Sequence, residues 1–127
     1  MSKLKYIKKN KFIICFDIDN TICFTNKLKE YQKSKKNTAA IKIVNDLYDS
    51  GYYIKLYTAR GMDRYKSDLK KIHKVFYNFT SDQLKKWGVR YHELILGKIS
   101  YNLFVDDKSY GFNKNWVRVL RKTFLDR

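Results

Sequence analysis

Proline is absent from this 127-residue chain, glycine occurs only five times, and acidic residues are far fewer than basic ones. The formal net charge is +16, and 22 of the 28 basic residues are lysine. A basic surface attracts phosphate backbones, so nucleic-acid binding is one interpretation of this charge. The excess of Lys over Arg, together with abundant Asn, Ile, Tyr and Phe, is also the bias of an AT-rich genome. That bias raises the charge without selecting a partner, so nucleic acid is not the favoured partner.

Long apolar runs and closely spaced cysteines are also missing. No apolar run approaches the roughly 20 residues of a membrane span, and the N-terminal residues MSKLKYIKKNK lack the apolar stretch of a signal peptide. Cys15 and Cys23 do not have the CxxC spacing of a metal site, so we expect reduced thiols in a cytoplasmic protein. With 44% hydrophobic residues and no linker or repeat, residues 1–127 are predicted to form one domain.

Strands and helices alternate along the chain. The predicted strands are 11–17, 52–58, 91–96 and 101–105, and the predicted helices are 38–50, 63–78, a short one from a capping box at 80–83 to Gly88, and 113–125. Asn37 or Thr38 is expected to cap the first helix and Gly51 to follow it, whereas residues 20–37 are predicted as a loop. This alternation indicates an α/β fold with a mainly parallel sheet.

Polar side chains follow the predicted strands at the points where they end. They are Asp17 and Asp19 after the first strand, Thr58 at the end of the second, Lys98 between the last two, and Asp106 and Asp107 after the last. Ligands of such sheets bind outside the carboxyl ends of the strands, so these groups are expected to converge on one edge. A cluster of carboxylates with a lysine and a hydroxyl is suited to holding Mg²⁺ and a phosphate together.

The order of these motifs resembles that of the haloacid dehalogenase (HAD) superfamily of phosphatases along nearly the whole chain. "FDIDNT" is similar to the first motif, DxDxT after an apolar strand, and "IKLYT" to the second. Lys98 in "LILGKIS" is similar to the third motif, and "LFVDD" to the fourth. More narrowly, "LYTARGM", "KKWGVRYHELILGK" and "FVDDK" resemble small phosphatases found among bacterial capsule and lipopolysaccharide biosynthesis genes. The resemblance implies a HAD-like three-layer α/β/α sandwich and a hydrolase.

Two positions depart from the pattern of these small phosphatases. Asn20 stands where they commonly have Gly, and Asn tolerates the left-handed backbone region that Gly would supply. Ile99 stands where they have Pro after the lysine of the third motif, which leaves the Lys98 loop less constrained. The charged positions of all four motifs are retained.

The resemblance also assigns roles to the charged residues. Asp17 would attack phosphorus and form an aspartyl-phosphate, while Asp19 would act as general acid and then as general base. Mg²⁺ would be held by Asp17, the backbone carbonyl of Asp19, Asp106 and, directly or through water, Asp107. Thr58 and Lys98 would bind phosphate oxygens. Arg60 is expected either to reach the substrate or to form a surface ion pair.

The intervals between motifs leave no room for the substrate-selecting cap domain that HAD phosphatases usually carry. Asp19 and Thr58 are 39 positions apart, and Thr58 and Lys98 are 40 apart, which the predicted elements already fill. An open site is therefore expected, with the basic loop 24–37 as the nearest equivalent of a lid, or with a neighbouring subunit of a homo-oligomer closing it. The substrate is expected to be a small phosphorylated metabolite, such as a sugar or polyol phosphate of capsule biosynthesis. The alternatives are a polynucleotide terminal phosphatase and a non-catalytic nucleic-acid-binding protein on a HAD scaffold.

Overall fold

A computed structural model describes residues 12–126 of the chain, so the basic N-terminal run and Lys11 at the start of the first predicted strand lie outside the described residues. The elements in chain order are β1 (Ile13–Asp17), β2 (Cys23–Phe24), β3 (Lys35–Lys36), α1 (Thr38–Asp49), β4 (Tyr53–Thr58), α2 (Leu69–Lys86), β5 (Glu93–Leu96) and α3 (Trp116–Phe124), with a short 3₁₀ turn at Tyr31–Lys33. No helix in this part of the chain is long and apolar enough to cross a membrane.

The main sheet has three parallel strands in the order β1-β4-β5. Phe16 lies opposite Leu56, and Leu56 lies opposite Leu94, so the three carboxyl ends are side by side. A parallel sheet needs a crossover between neighbouring strands, and α1 and α2 provide the two crossovers. The prediction of an α/β fold with a mainly parallel sheet is confirmed.

The hydrophobic core lies on one face of this sheet. The strands contribute Phe16, Ile54, Leu56 and Leu94, which alternate along the chain with residues on the other face. These side chains pack against residues of α1, α3 and the end of α2, namely Ile43, Val44, Leu47, Leu84, Trp116 and Leu120. The other face is more open, since Ile13 is 53% exposed and Cys15 is exposed. Tyr53, Lys55 and Tyr57 on that face are only half-buried.

The first helix has the ends that the sequence predicts. The side chain of Asn37 accepts the N–H of Ala40 at 3.2 Å, which satisfies one of the donors that a helix N-terminus leaves without a partner. Gly51, with φ of +98°, follows the helix in the left-handed conformation that stops it. These two local signals are sufficient to define α1.

The prediction of two helices over residues 63–88 is wrong. A single helix, α2, runs from Leu69 to Lys86, and it begins only after Lys66 and Ser67 have adopted positive φ. Thr80 does not cap a second helix, because it is fully buried in the middle of α2. Its hydroxyl is engaged with Arg60 instead of with the backbone of a helix N-terminus.

The strand predicted at 101–105 is also absent from the structure, and β5 is shorter than predicted by two residues. Leu103 and Val105 are 81% and 85% exposed. An apolar run predicts burial, but a strand also requires a neighbouring strand to satisfy its backbone groups. Among residues 12–126 this segment has no neighbouring strand. A turn begins at Asp106, whose side chain accepts the N–H of Lys108 at 3.0 Å.

The predicted loop at 20–37 has a structure of its own. β2 and β3 form a short antiparallel hairpin in which Cys23 pairs with Lys36 and Phe24 with Lys35. Between them, Tyr31 is buried against Phe76, with ring centroids 5.5 Å apart in an edge-to-face arrangement. The loop is therefore anchored to α2 at its tip.

Candidate active site

A cavity of ≈ 380 Å³ lies at the carboxyl ends of the parallel strands. It is lined by residues that follow β1, β4 and β5 and by the hairpin loop: Asp17, Asp19, Asn20, Thr25, Asn26, Lys27, Lys29, Tyr31, Ala59, Arg60, Asp63, Lys98, Ile99, Ser100 and Tyr101. Of the predicted site residues, the cavity therefore brings together Asp17, Asp19, Arg60 and Lys98. Its position agrees with the general rule for ligand sites in open parallel sheets.

The first charged pair in the cavity is Asp17 with Lys98. Nζ of Lys98 lies 3.4 Å from Oδ1 of Asp17. The backbone fixes the lysine there, since its N–H donates to the carbonyl of Thr58 at 3.1 Å and extends the pairing of β4 with β5.

Partial burial and the neighbouring groups together set the pKa values of Asp17 and Lys98. Desolvation raises the pKa of Asp17 above its usual value, although the nearby charge of Lys98 acts in the opposite direction. Burial works against the charged form of Lys98, but its hydrogen bond with Tyr101 and the charge of Asp17 outweigh burial and raise its pKa. The lysine therefore keeps its positive charge beside the carboxyl group.

The second charged pair is Asp19 with Arg60. The guanidinium donates from Nη2 to Oδ1 of Asp19 at 2.9 Å and from Nε to Oδ2 at 3.0 Å. The Arg60 side chain is fully buried, whereas that of Asp19 keeps 20% of its surface exposed. The expectation of a surface ion pair is wrong, because the ion pair of Arg60 is buried. Arg60 also lines the cavity, so its contact with a substrate stays a prediction.

Thr58 lies beneath the cavity rather than in its wall. It is fully buried at the end of β4, and its Oγ1 accepts the N–H of Arg60 at 3.1 Å. The structure thus uses this hydroxyl to fix the backbone that leads into Arg60. Gly61 continues the bend with φ of +85°, and a Cβ added there would lie 2.7 Å from the Phe76 ring, so the bend requires glycine.

The turn after Asp19 depends on Asn20 and Thr25. Asn20 has φ of +60°, which confirms that asparagine supplies the left-handed conformation here, and its Oδ1 also accepts the N–H of Thr25 at 3.1 Å. The Thr25 hydroxyl in turn donates to Oδ1 of Asp19 at 2.6 Å and contacts Oγ of Ser34 at 2.8 Å. The hairpin is therefore hydrogen-bonded directly to a site carboxylate.

Lysines lie along the rim of the cavity on the hairpin side. Lys29 forms an ion pair with Asp63, which joins the hairpin loop to the loop after β4, and both side chains are about half exposed. The hydrogen bond between them raises the pKa of Lys29 and lowers that of Asp63. Lys27 also lines the cavity.

Asp106 and Asp107 are not among the residues that line the cavity. Both are exposed in the segment 99–115. The N–H of Lys108 and a hydrogen bond with Asp107 lower the pKa of Asp106, and the same hydrogen bond raises the pKa of Asp107. Within residues 12–126 no three acidic, histidine or cysteine side chains are close enough together to hold a metal ion jointly.

Sequence reasoning missed Thr25 and Tyr31 as parts of the site. Both lie in a stretch whose polar, lysine-rich composition has no period and therefore predicts only a loop. The sequence contains one signal for Thr25. The apolar residues Ile22–Phe24 come directly after the DxDxT pattern, and Thr25 is the first polar residue after them. The burial of Tyr31 depends on its contact with α2, which the local sequence does not encode.

Comparison with known proteins gives one structural likeness. No family model matches the chain, and no curated protein is significantly similar to it. The fold is similar to that of a protein from Vibrio cholerae whose crystal structure was determined as an MCSG target, with a TM-score of 0.73 and 21% sequence identity. The similarity covers 88% of this chain and 98% of the Vibrio cholerae chain, and at that identity it shows a shared fold alone.

Proposed function

We propose that this chain is a Mg²⁺-dependent phosphomonoester hydrolase of the HAD type. The observation that carries the proposal is the pairing of Asp17, at the end of β1, with Nζ of Lys98 at 3.4 Å inside an open cavity. A carboxylate that attacks a phosphate dianion meets charge repulsion, and a fixed positive charge beside it offsets that repulsion. The parallel sheet and its crossover helices supply the α/β framework that this proposal needs.

The reaction has two steps in this proposal. A carboxylate oxygen of Asp17 attacks phosphorus and forms an aspartyl-phosphate, while the bond to the leaving oxygen breaks and that oxygen takes a proton from Asp19. Water then attacks the same phosphorus, gives its proton to Asp19, and releases inorganic phosphate and the Asp17 carboxylate. Lys98 binds the phosphate oxygens in both steps.

The cavity supplies some, but not all, of the oxygen ligands that a magnesium ion would need. Mg²⁺ in phosphoryl-transfer sites is held by one or two carboxylates, with waters and substrate phosphate as the other ligands. Asp17 and Asp19 both line the cavity, and the carboxylate of Asp17 and the backbone carbonyl of Asp19 would be such donors. When bound, the ion would neutralise charge on the phosphate. Asp106 and Asp107 would have to approach Asp17 to complete the set.

We propose that residues 101–105 bring these two acids to the site by pairing with the edge of β1 that faces away from β4. Among the described strands β1 pairs with β4 alone, so none of them occupies that edge. The exposed side chains of Ile13, Leu103 and Val105 supply apolar surface that such pairing would bury. Parallel pairing would direct residues 106 and 107 toward the carboxyl end of β1.

A small phosphorylated metabolite is the proposed substrate, such as a sugar or polyol phosphate used in surface-polysaccharide synthesis. The cavity volume of ≈ 380 Å³ is within the usual range for small-molecule sites. Polynucleotide terminal phosphatase activity is the second candidate, favoured by Lys27 and Lys29 at the rim of the cavity. A non-catalytic nucleic-acid-binding protein is the third, and the charged pairs inside the cavity count against it.

A phosphate-release screen tests the proposal. The panel contains sugar and polyol phosphates, nucleotides, and oligonucleotides with a 3′- or 5′-phosphate, each with Mg²⁺ and with EDTA. We expect Mg²⁺-dependent release from the small phosphates. Release from the oligonucleotides alone would replace the first candidate with the second, and absence of release from every substrate would overturn the proposed function.

A further inference from the structure

In the ion pair of Arg60 with Asp19 both carboxylate oxygens accept from the guanidinium, but Oδ1 has more partners than Oδ2. Oδ1 of Asp19 accepts from Nη2 of Arg60 at 2.9 Å and from the Thr25 hydroxyl at 2.6 Å. Within residues 12–126, Oδ2 accepts only from Nε of Arg60, at 3.0 Å. A carboxylate oxygen has two lone pairs, so Oδ2 keeps one for a proton.

The guanidinium itself has little freedom to move. Nη1 of Arg60 contacts Oγ1 of Thr80 at 3.3 Å inside α2. Its carbon lies 4.7 Å from the centre of the Tyr31 ring and 5.9 Å from that of Phe79. An arginine that is paired through two nitrogens and packed between aromatic rings presents a rigid fork to its carboxylate.

We propose that Arg60 is a positioning residue that orients Asp19 so that Oδ2 carries the proton exchanged with the leaving group. This inference rests on the proposed phosphatase function and replaces the expectation that Arg60 binds substrate. In the first step the proton on Oδ2 goes to the leaving oxygen as its bond to phosphorus breaks. In the second step Oδ2 takes a proton from the attacking water.

A purely structural role for Arg60 makes a different prediction. A buried arginine that only supports the fold would, when replaced, lower stability and reduce activity on every substrate to a similar extent. An arginine that acts through Asp19 would instead affect substrates according to their need for a proton on the leaving oxygen. Alkyl phosphates need that proton, and aryl phosphates such as p-nitrophenyl phosphate need it much less.

The test is single-turnover kinetics of Arg60→Lys, Asp19→Asn and the double variant on an alkyl and an aryl phosphate. General acid catalysis contributes about 10²–10⁴-fold, and we expect Asp19→Asn to lose that much on the alkyl substrate and less on the aryl one. Arg60→Lys should show the same preference with an unchanged KM. The double variant should be no slower than Asp19→Asn, because Arg60 has no proton donor left to position.

Arg64→Lys is the matched control, since Arg64 is an exposed arginine on the same loop with its guanidinium 5.6 Å from the Phe76 ring. It should leave both rates unchanged. If Arg60→Lys does not fold, Thr25→Val removes the 2.6 Å hydrogen bond to Oδ1 and should show the same preference for aryl phosphate.

Four results would overturn the inference. Equal losses on the two substrates, or losses in the double variant that multiply, would refute positioning while leaving the phosphatase function intact. A raised KM for Arg60→Lys would instead indicate direct substrate binding. A wild-type chain that hydrolyses no phosphomonoester would overturn both proposals together.

Discussion

Lys98 reaches across the end of β4 to Asp17, and its Nζ lies 3.4 Å from Oδ1 of that residue. The two residues follow the outer strands of the three-stranded sheet, so their contact spans its full width. The sheet topology therefore determines which charges meet in the cavity.

Replacing Lys98 with Met should reduce kcat/KM by about 10²–10³-fold, the usual cost of removing one group that stabilises developing charge. The methionine keeps most of the apolar stem, so the fold should persist. Steady-state kinetics with a thermal melt provides the measurement. Lys114→Met, at an exposed lysine outside the cavity, should match the wild type. Full activity of Lys98→Met would remove this lysine from the mechanism.

Asp17→Asn should abolish turnover and leave the fold intact, because an amide is a poor nucleophile and loses the charge that binds metal. Mass spectrometry after rapid quenching should detect a phosphorylated aspartate in the wild type and none in the variant. Asp82→Asn, at an exposed aspartate on α2, serves as the control. Hydrolysis at the wild-type rate by Asp17→Asn would exclude this residue as the nucleophile.

Addition of Mg²⁺ should slow amide hydrogen exchange in residues 101–107, because the proposed pairing with β1 would satisfy backbone groups that are now exposed. Asp106→Asn should lose both this protection and the activity, and exhaustive chelation should abolish turnover in the wild type. The amides of α1 provide an internal reference that Mg²⁺ should not change. Exchange at 101–107 that is insensitive to Mg²⁺ in an active enzyme would refute the pairing.

The ion pair between Asp46 of α1 and Arg121 of α3 should stabilise the fold in a pH-dependent way. Its atoms are 2.5 Å apart, and the hydrogen bond from Arg121 lowers the pKa of Asp46. Because the pKa of Asp46 is lower in the folded state than its unfolded value of about 3.9, the ion pair stabilises the fold at pH values above that value. This contribution is lost as the pH falls through the folded-state pKa of Asp46.

Urea unfolding of Asp46→Asn at several pH values tests this expectation. The variant should be less stable at pH 7 by about 0.5–1 kcal/mol, and the difference should shrink as the pH falls below the unfolded pKa of about 3.9. Asp49→Asn is the control, because its ion pair with Arg90 leaves both side chains about half exposed and should contribute less. A difference that persists at low pH would show that Asp46 acts through packing rather than charge.

The sequence predicts the elements whose signals are local. Asn37 and Gly51 define α1 at both ends, and alternating burial along β4 follows its sequence pattern. The continuous helix α2 was missed because the capping pattern at Thr80 was given more weight than the core stripe. Ile72, Phe76, Thr80 and Leu84 are buried at regular intervals of four residues, which already indicates a helix that continues through residue 80.

The sequence predicts some charged residues of the cavity but not their pairing, and Asp106 and Asp107 do not line it. Asp17, Asp19 and Lys98 lie at the cavity as strand ends require. The engagement of Arg60 by Asp19 depends on α2, whose Thr80 and Phe79 position the guanidinium, and the motif around residue 60 contains no information about that helix. Likewise, the apolar run at 101–105 predicts a buried strand, but its neighbour cannot be deduced from the run itself.

The ion pair of Lys29 with Asp63 lies at the cavity, where an anionic substrate of the proposed hydrolase would meet it. Exposed pairs of this kind contribute only about 0–1 kcal/mol, and dissolved ions weaken them further. A phosphate group could therefore replace Asp63 as the partner of Lys29 at little cost in free energy. Under the proposed function, substrate entry would then be an exchange of anions at the rim, with a rate that depends on ionic strength.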